Sequence, residues 1–160
     1  MPKSNLTTLC YLEKGGKYLM MHRVKKEHDI NKDKWVGIGG HFEADESPEE
    51  CLLREAREET GLTLANYKLR GIVTFISDRW QTEYMFLYTA TEWEGQLADC
   101  NEGTLEWIEK SEVYDLPLWE GDKIFFRLLN QEEPFFSLKL VYDGKSGLVG
   151  AALNGVPMKI

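Results

Sequence analysis

The sequence predicts an α/β fold, because two stretches with the periodicity of amphipathic helices are set among several runs of strand-like composition. The strand-like runs come before, between and after the two helical stretches. With 160 residues, of which 42% are hydrophobic and 12% aromatic, the chain is long enough to bury one core. We therefore expect a single domain over residues 1–160, with two helices and a β-sheet.

The N-terminal part predicts a β-hairpin followed by a loop. Residues 6–12 (LTTLCYL) and 17–24 (KYLMMHRV) are strand-like, and Gly15 and Gly16 between them tolerate the positive φ angles of a tight turn. Residues 25–34 are strongly charged and have no sustained apolar period. They predict a surface loop that either closes over a ligand or simply connects two elements.

The first helix is predicted at residues 48–60, since its start and end signals are both present. Ser47 is a typical N-cap, Pro48 suits the first helical position, and Glu50 can complete a capping box. Gly61 supplies the left-handed residue that ends the helix.

Three glutamates share one edge of this helix. Glu55, Glu58 and Glu59 are spaced by three and four residues, so their side chains project to the same side. An adjoining apolar stripe can dock on the sheet and leave the carboxylates at the rim of a cleft; it consists of Leu52, Leu53, Ala56 and Thr60. Mg²⁺ prefers such oxygen ligands. The edge is therefore either a metal site or, more plainly, a solvated acidic face.

The remaining elements are predicted from composition and spacing. Strands are expected at residues 67–77, 82–91 and 105–108. A second helix is expected at residues 120–130, with Ile124, Phe125, Leu128 and Leu129 facing the core. A final hairpin is expected at residues 135–142 and 147–153.

Charge and cysteine content limit the kind of partner. A net charge of −8 disfavours binding of a nucleic-acid polymer by counterion release, but it allows a metal-mediated nucleotide site. Cys10, Cys51 and Cys100 lie far apart without a CxxC pair, which fits buried thiols in a reducing compartment. No apolar run has the length of a membrane span and no signal pattern is present. We expect a cytoplasmic protein that binds small molecules and no membrane; its oligomeric state is left open.

The spacing around the glutamates resembles the Nudix box. Every defined position of the box is occupied, which makes the match far more specific than a lone glycine motif; these positions are Gly40, Glu46, Arg54, Glu55, Ala56, Glu58, Glu59, Gly61 and Leu62. The only mild departure is Ala56, where a larger aliphatic residue is common. The chain thus resembles the Nudix hydrolases.

This resemblance implies an α/β/α sandwich around a mixed sheet, and cleavage of nucleoside diphosphates linked to another moiety with Mg²⁺ or Mn²⁺. It makes Glu55 and Glu59 metal ligands, together with the carbonyl of Gly39 and with Glu58 as a further candidate. One of the three glutamates activates water, directly or through the metal. Gly40 would let the backbone approach the substrate closely.

Other side chains in and near the box are expected to be structural, not catalytic. Arg54, four residues before Glu58, is expected to orient it by an ion pair. Glu46 would steady the loop or join the outer shell of the metal. The histidines have no ligand spacing and are expected to be structural or solvated; they are His22, His28 and His41.

Outside the box, the chain resembles the oxidised-purine nucleotide hydrolases, the 8-oxo-dGTP diphosphatase branch. Glu102 lies five residues before Trp107, where those members have a metal ligand, although a plain surface acid is the alternative. Arg23 matches a basic residue that they direct at the phosphates, or it is an ordinary charge at a strand end.

In residues 118–122 (LWEGD), Trp119 would stack on the base and Asp122 would bind the base edge. The alternative is a core tryptophan with an acid at a helix start. Gly121 stands where the mammalian-type enzymes have a second aspartate, and Val36 where they have an asparagine, so base specificity stays open.

The resemblance leads to three functional hypotheses. The first is Mg²⁺-dependent hydrolysis of a nucleoside triphosphate, with 8-oxo-dGTP as a candidate, to monophosphate and pyrophosphate. The second is hydrolysis of a nucleoside diphosphate sugar or dinucleotide, which the lack of a proline between Pro48 and Pro117 disfavours. The third is a non-catalytic nucleotide sensor, which the intact glutamates disfavour.

Overall fold

The computed structural model describes residues 4–25, 31–145 and 147–160, and it contains helices packed on a mixed sheet. The strands are β1 (Leu6–Lys14), β2 (Lys17–His22), β3 (Trp35–Val36), β4 (Thr63–Ser77), β5 (Glu83–Glu94), β6 (Thr104–Glu109), β7 (Phe136–Asp143), β8 (Gly147–Leu153) and β9 (Val156–Pro157). The helices are α1 (Pro48–Thr60) and α2 (Asp122–Asn130), with a 3₁₀ turn at Val113–Asp115.

The sheet combines parallel and antiparallel pairs. Its strand order is β3-β2-β1-β5-β4-β7-β8-β9, and β6 pairs with β2 beside this path. The β1–β5 and β4–β7 pairs are parallel, and the other pairs are antiparallel. The mixed sheet with two helices confirms the fold class expected from the sequence.

The two helices cover opposite faces of the sheet, as alternation along β1 shows. Cys10 and Leu12 belong to the core cluster that contains Leu52 and Ala56 of α1. Tyr11, between them in sequence, belongs to the other cluster, which contains most of α2. Because successive strand residues point to opposite faces, each face of the sheet has its own core. This is the α/β/α sandwich that the resemblance implied.

Helix α1 has the boundaries and caps expected from the sequence. The Ser47 hydroxyl accepts a hydrogen bond from the N–H of Glu50 at 3.1 Å, and the Glu50 carboxylate accepts one from the N–H of Ser47 at 2.9 Å. Gly61 ends the helix at φ 78°, and its N–H donates to the carbonyl of Arg57. Two of the unpaired amide groups at the start of the helix are therefore satisfied by side chains.

Several strand boundaries were wrong by two to four residues. β1 continues to Lys14 because the hairpin pairs Lys14 with Lys17. β4 begins at Thr63, since Thr63 pairs with Glu94 at the far end of β5. Charged and polar residues at strand ends are held by backbone pairing, which a search for apolar alternation does not detect.

The second helix and two short strands also differ from expectation. Helix α2 begins at Asp122, not at residue 120, because the N–H of Asp122 donates to the carbonyl of Trp119 in a turn before the helix. The short strands β3 and β9 were not predicted. The part of the predicted charged loop at residues 26–30, including His28, lies outside the described residues.

The state of the cysteines agrees with the expectation from the sequence. Cys10, Cys51 and Cys100 are buried free thiols, as predicted. No described helix has the length and apolar composition to span a membrane.

Replacing Ser47 with alanine is expected to lower the free energy of unfolding by about 1 kcal/mol, because the N–H of Glu50 loses its side-chain acceptor. Urea denaturation measures the change. Ser111→Ala, at an exposed serine in a turn, is the control and should leave stability unchanged. Equal losses in both variants would contradict the role of the capping box.

Candidate active site

A cavity of about 710 Å³ brings together most of the residues singled out in the sequence. Its polar part is lined by Arg23, Gly39, Gly40, Arg54, Glu55, Glu59 and Glu102. Its apolar and aromatic part is lined by Leu9, Phe75, Trp80, Met85 and Trp119, with Asp122 beside them. A ligand with a charged end and a flat apolar end matches this distribution.

The loop before α1 approaches the sheet and the helix so closely that only glycine fits. Gly39 has φ 151°, and a Cβ atom placed on it would lie 1.9 Å from the carbonyl oxygen of Thr8. A Cβ atom on Gly40 would lie 2.7 Å from the carboxylate of Glu55. The two glycines thus put bare backbone against the acidic edge of α1. Their close approach to a metal or substrate stays a prediction.

Glu59 is the carboxylate that joins helix and loop. Only 6% of its surface is exposed, and its Oε2 accepts a hydrogen bond from the N–H of Gly39 at 3.0 Å. Burial raises the pKa of Glu59 well above its usual range. The hydrogen bond from Gly39 opposes this rise, while the nearby carboxylates of Glu55 and Glu102 add to it.

Glu55 lies beside Glu59 on the cavity wall. Burial raises the pKa of Glu55, and the guanidinium of Arg54 opposes the rise by a hydrogen bond of 2.8 Å. The negative charges of Glu58 and Glu102 raise the pKa of Glu55 further. The negative charges of several carboxylates therefore repel one another within one small region.

Arg54 ties the loop to the helix. Its Nε and Nη2 donate to the carboxylate of Glu46 at 2.7 and 2.9 Å, and Nη2 also donates to the carbonyl of His41 at 3.0 Å. The hydrogen bond from Arg54 holds the pKa of Glu46 below its usual range. The expected contact with Glu58 is present at 3.2 Å, but Glu46 and Glu55 are the closer partners.

Glu58 differs from its two neighbours. Its side chain is 58% exposed, and Glu58 is not among the residues that line the cavity. The structure thus brings Glu55 and Glu59 to the cavity and leaves Glu58 on its outer side. Spacing along the helix could not distinguish Glu58 from Glu55 and Glu59. It gives the direction of each side chain around the helix axis, but not which of them the neighbouring loop covers.

Glu102 and Arg23, from distant parts of the sequence, both reach the cavity. Arg23 Nη1 donates to Glu102 Oε2 at 3.0 Å, and the Glu102 carboxylate is near enough to Glu59 to raise the pKa of Glu59 further. Their predicted roles, as metal ligand and as phosphate-binding cation, need both groups at this end of the cavity. The structure places them there, paired with each other.

The donors at this end suit Mg²⁺ by their chemistry. Among residues 4–25, 31–145 and 147–160, no three histidine, cysteine, aspartate or glutamate side chains form a closed ligand set. The acidic groups present are nevertheless all hard oxygen donors, and a cation would offset the repulsion between Glu55, Glu59 and Glu102. These carboxylates and the carbonyl of Gly39 are the groups that would hold the ion.

Trp119 forms part of a fixed aromatic wall. Its Nε1–H donates to Asn31 Oδ1 at 2.7 Å, and the ring meets Phe75 at 5.2 Å and 86° and Tyr142 at 5.2 Å and 79°. Lys34 Nζ lies 5.0 Å from the ring. Trp119 therefore packs on the core, as one alternative from the sequence held, and it also lines the cavity, where stacking on a base stays a prediction.

Asp122, the first residue of α2, is buried in the cavity wall. Within the described part of the chain its carboxyl group has no side-chain hydrogen bond. Burial raises its pKa to about 8, and the positive charge of Lys34 opposes the rise. A protonated carboxyl can donate as well as accept a hydrogen bond, which suits the edge of a nucleobase.

Sequence reasoning missed several residues of the apolar part, including Thr7, Phe75, Trp80 and Met85. Among the residues that the structure describes, the Thr7 hydroxyl is buried and has no hydrogen-bond partner. Alternation along β1 could have indicated the direction of Thr7. It could not have indicated its neighbours, because β1 pairs with β5, which is distant in sequence.

The described histidines make structural contacts. His22 stacks on Trp35 at 4.5 Å. His41 lies 2.7 Å from the carbonyl of Ser4, consistent with a structural role.

Comparison with known proteins gives the same family as the resemblance noted in the sequence. The NUDIX domain model matches residues 3–129. The uncharacterized Nudix hydrolase YvcI of Bacillus subtilis is 33% identical over 120 residues, 72% of each chain. The oxidized purine nucleoside triphosphate hydrolase of Danio rerio is 28% identical over 134 residues, 82% of this chain and 83% of that protein. The mutator MutT protein of Bacillus halodurans has TM-score 0.81 and 32% identity, covering 95% of this chain and 99% of that chain.

The region matched by the family model includes the glycine loop, α1 and the strands around the cavity. It ends within α2, while β7 and β8 continue the same sheet. The chain belongs to the Nudix family, and it is a MutT-like Nudix pyrophosphohydrolase.

Proposed function

We propose that the protein hydrolyses a nucleoside triphosphate to the monophosphate and pyrophosphate with Mg²⁺, Mn²⁺ being an alternative metal. The candidate substrate is an oxidised purine nucleotide such as 8-oxo-dGTP. The observation that carries the proposal is the position of Glu55 and Glu59, which face the glycine loop in a cavity that continues to an aromatic wall. The cysteines, being reduced, fit a cytoplasmic location.

The reaction breaks one phosphoanhydride bond. Water attacks one of the two phosphorus atoms of this anhydride bond and forms a new P–O bond, its proton passes to a carboxylate, and the phosphate group on the other side of the bridging oxygen leaves with the electrons of the broken P–O bond. Glu55 and Glu59 are better placed than Glu58 to receive the proton, because they line the cavity. Mg²⁺, when bound, would neutralise phosphate oxygens and polarise the attacking water. Arg23 would donate hydrogen bonds to the phosphates.

The base would lie against Trp119 with its edge near Asp122. The similarity to the oxidized purine nucleoside triphosphate hydrolase of Danio rerio supports a purine nucleotide as the substrate. A Cβ atom on Gly121 would lie 2.5 Å from a methyl carbon of Leu140 and 2.7 Å from the Tyr142 hydroxyl. A second aspartate at this position, as in the mammalian-type enzymes, would therefore require the side chains of Leu140 and Tyr142 to move.

With Mg²⁺, the full chain should release pyrophosphate and a monophosphate from a nucleoside triphosphate, measured by chromatography of the products. Glu55→Gln and Glu59→Gln should lower kcat by about 10²- to 10⁴-fold, because a cavity carboxylate is lost in each. Glu58→Gln should have a smaller effect, since Glu58 lies outside the cavity.

Glu92→Gln, at an exposed glutamate of β5, is the matched control and should leave kcat unchanged. Release of AMP from ADP-ribose without cleavage of any triphosphate would instead favour a nucleoside diphosphate sugar hydrolase. Tight nucleotide binding with no turnover of any substrate would favour a sensor.

The stability gained by Asp122→Asn is expected to grow with pH. The pKa of Asp122 is raised from 3.8 to about 8 in the folded chain. Between these values the unfolded chain releases the proton and the folded chain keeps it, so native stability falls as pH rises, by at most about 1.4 kcal/mol per pH unit. Asparagine does not titrate. The advantage of the variant should therefore increase by about 2–4 kcal/mol from pH 5 to pH 8 and then level off.

Denaturation of wild type and variant at several pH values measures this difference. Asp115→Asn, at an exposed position, is the control for replacing a carboxyl group at the surface. A pH-independent difference for Asp122→Asn would show that the buried carboxyl does not titrate in this range.

A further inference from the structure

Trp80 lies in the turn between β4 and β5 and lines the cavity, with 49% of its surface exposed. Within the part of the chain that the structure describes, its indole N–H donates no hydrogen bond and its ring contacts no other ring. Trp119, the other tryptophan of the cavity, is held on several sides by Asn31, Phe75 and Tyr142. The cavity thus has one fixed indole and one indole with a free surface.

The turn that carries Trp80 is attached to the neighbouring hairpin. The N–H of Gly144 donates to Asp78 Oδ2 at 3.3 Å, and Arg79 Nη2 donates to the carbonyl of Gly144 at 3.4 Å. The N–H of Arg79 also donates to the hydroxyl of Ser77 at 3.1 Å. These contacts hold the two residues before Trp80 and so restrict where its ring can lie.

The part of the cavity near this turn is apolar with polar groups at its edges. Phe75 and Met85 belong to the core on the α2 face of the sheet. Thr7 pairs with Met85 in the register of β1 and β5, so its side chain lies on the same face. The hydroxyl of Thr7 and the carboxyl of Asp122 have no hydrogen-bond partner within the described residues. A flat group with apolar faces and polar edges, such as a nucleobase, fits these walls.

We propose that Trp80 is a specificity-determining residue that stacks on the base of the bound nucleotide and covers a side of it that Trp119 does not reach. The inference rests on the proposed function, since it takes the occupant to be a nucleotide. Stacking on an aromatic ring strengthens binding of any base, and purines offer the larger ring surface. Trp80 therefore favours purine over pyrimidine nucleotides.

The direct test is the binding of dGMP and 8-oxo-dGMP, which contain no anhydride bond, to the full chain with Mg²⁺ in a calorimeter. Trp80→Ala should weaken binding of both by about 10-fold, because the base loses its stacking partner. Trp80→Phe keeps an aromatic ring and should restore most of the affinity. Phe135→Ala, at an aromatic side chain 56% exposed outside the cavity lining, is the matched control and should bind as the wild type does.

Ribose 5-phosphate separates stacking from general damage, because it has no base. Its affinity should be the same in wild type and Trp80→Ala. In hydrolysis assays with a purine nucleoside triphosphate, the same variant should raise KM with kcat unchanged, as expected when an interaction is lost equally from substrate and transition state.

Unchanged binding of dGMP and 8-oxo-dGMP by Trp80→Ala would overturn the inference, and so would an equal loss for ribose 5-phosphate. Either result would leave hydrolysis by the wild type, and hence the proposed function, intact. Absence of triphosphate hydrolysis together with a base-dependent loss of binding would refute the proposed function alone. A wild type that binds neither monophosphate would overturn the role of Trp80.

Discussion

The hydrogen bond from the Gly39 amide to the buried carboxylate of Glu59 is the contact on which the site depends. It requires a glycine, because the carbonyl of Thr8 occupies the space where a Cβ atom would lie. It also requires α1 to lie close to the loop, which the packing of Leu52 and Ala56 on the sheet provides. A strand, a loop and a helix thus meet at this contact.

The cavity joins groups from both faces of the sheet. Its acidic part belongs to α1 and the glycine loop, whereas Trp119 and Asp122 come from the segment that leads into α2. In the proposed reaction, the phosphates and the base are therefore bound by different elements. Under that proposal, a change at Trp80 would alter base preference without disturbing the carboxylates.

Features set by short-range sequence were predictable, and features set by pairing between distant segments were not. The caps of α1 involve residues at most four apart, so Ser47, Glu50 and Gly61 could be assigned from the sequence. The different environments of Glu58 and Glu59 depend on where the glycine loop passes, which spacing along one helix does not contain. Trp80 gave no signal because its position depends on the contact of its turn with the hairpin around Gly144.

The central claim is that the edge of α1 and the glycine loop bind a divalent cation in this cavity. Anomalous diffraction from crystals grown with Mn²⁺ and a nucleoside monophosphate locates the ion directly. The account predicts a peak within bonding distance of the carboxylates of Glu55 and Glu59, on the cavity side of α1. A peak elsewhere, or both side chains turned into solvent, would contradict it.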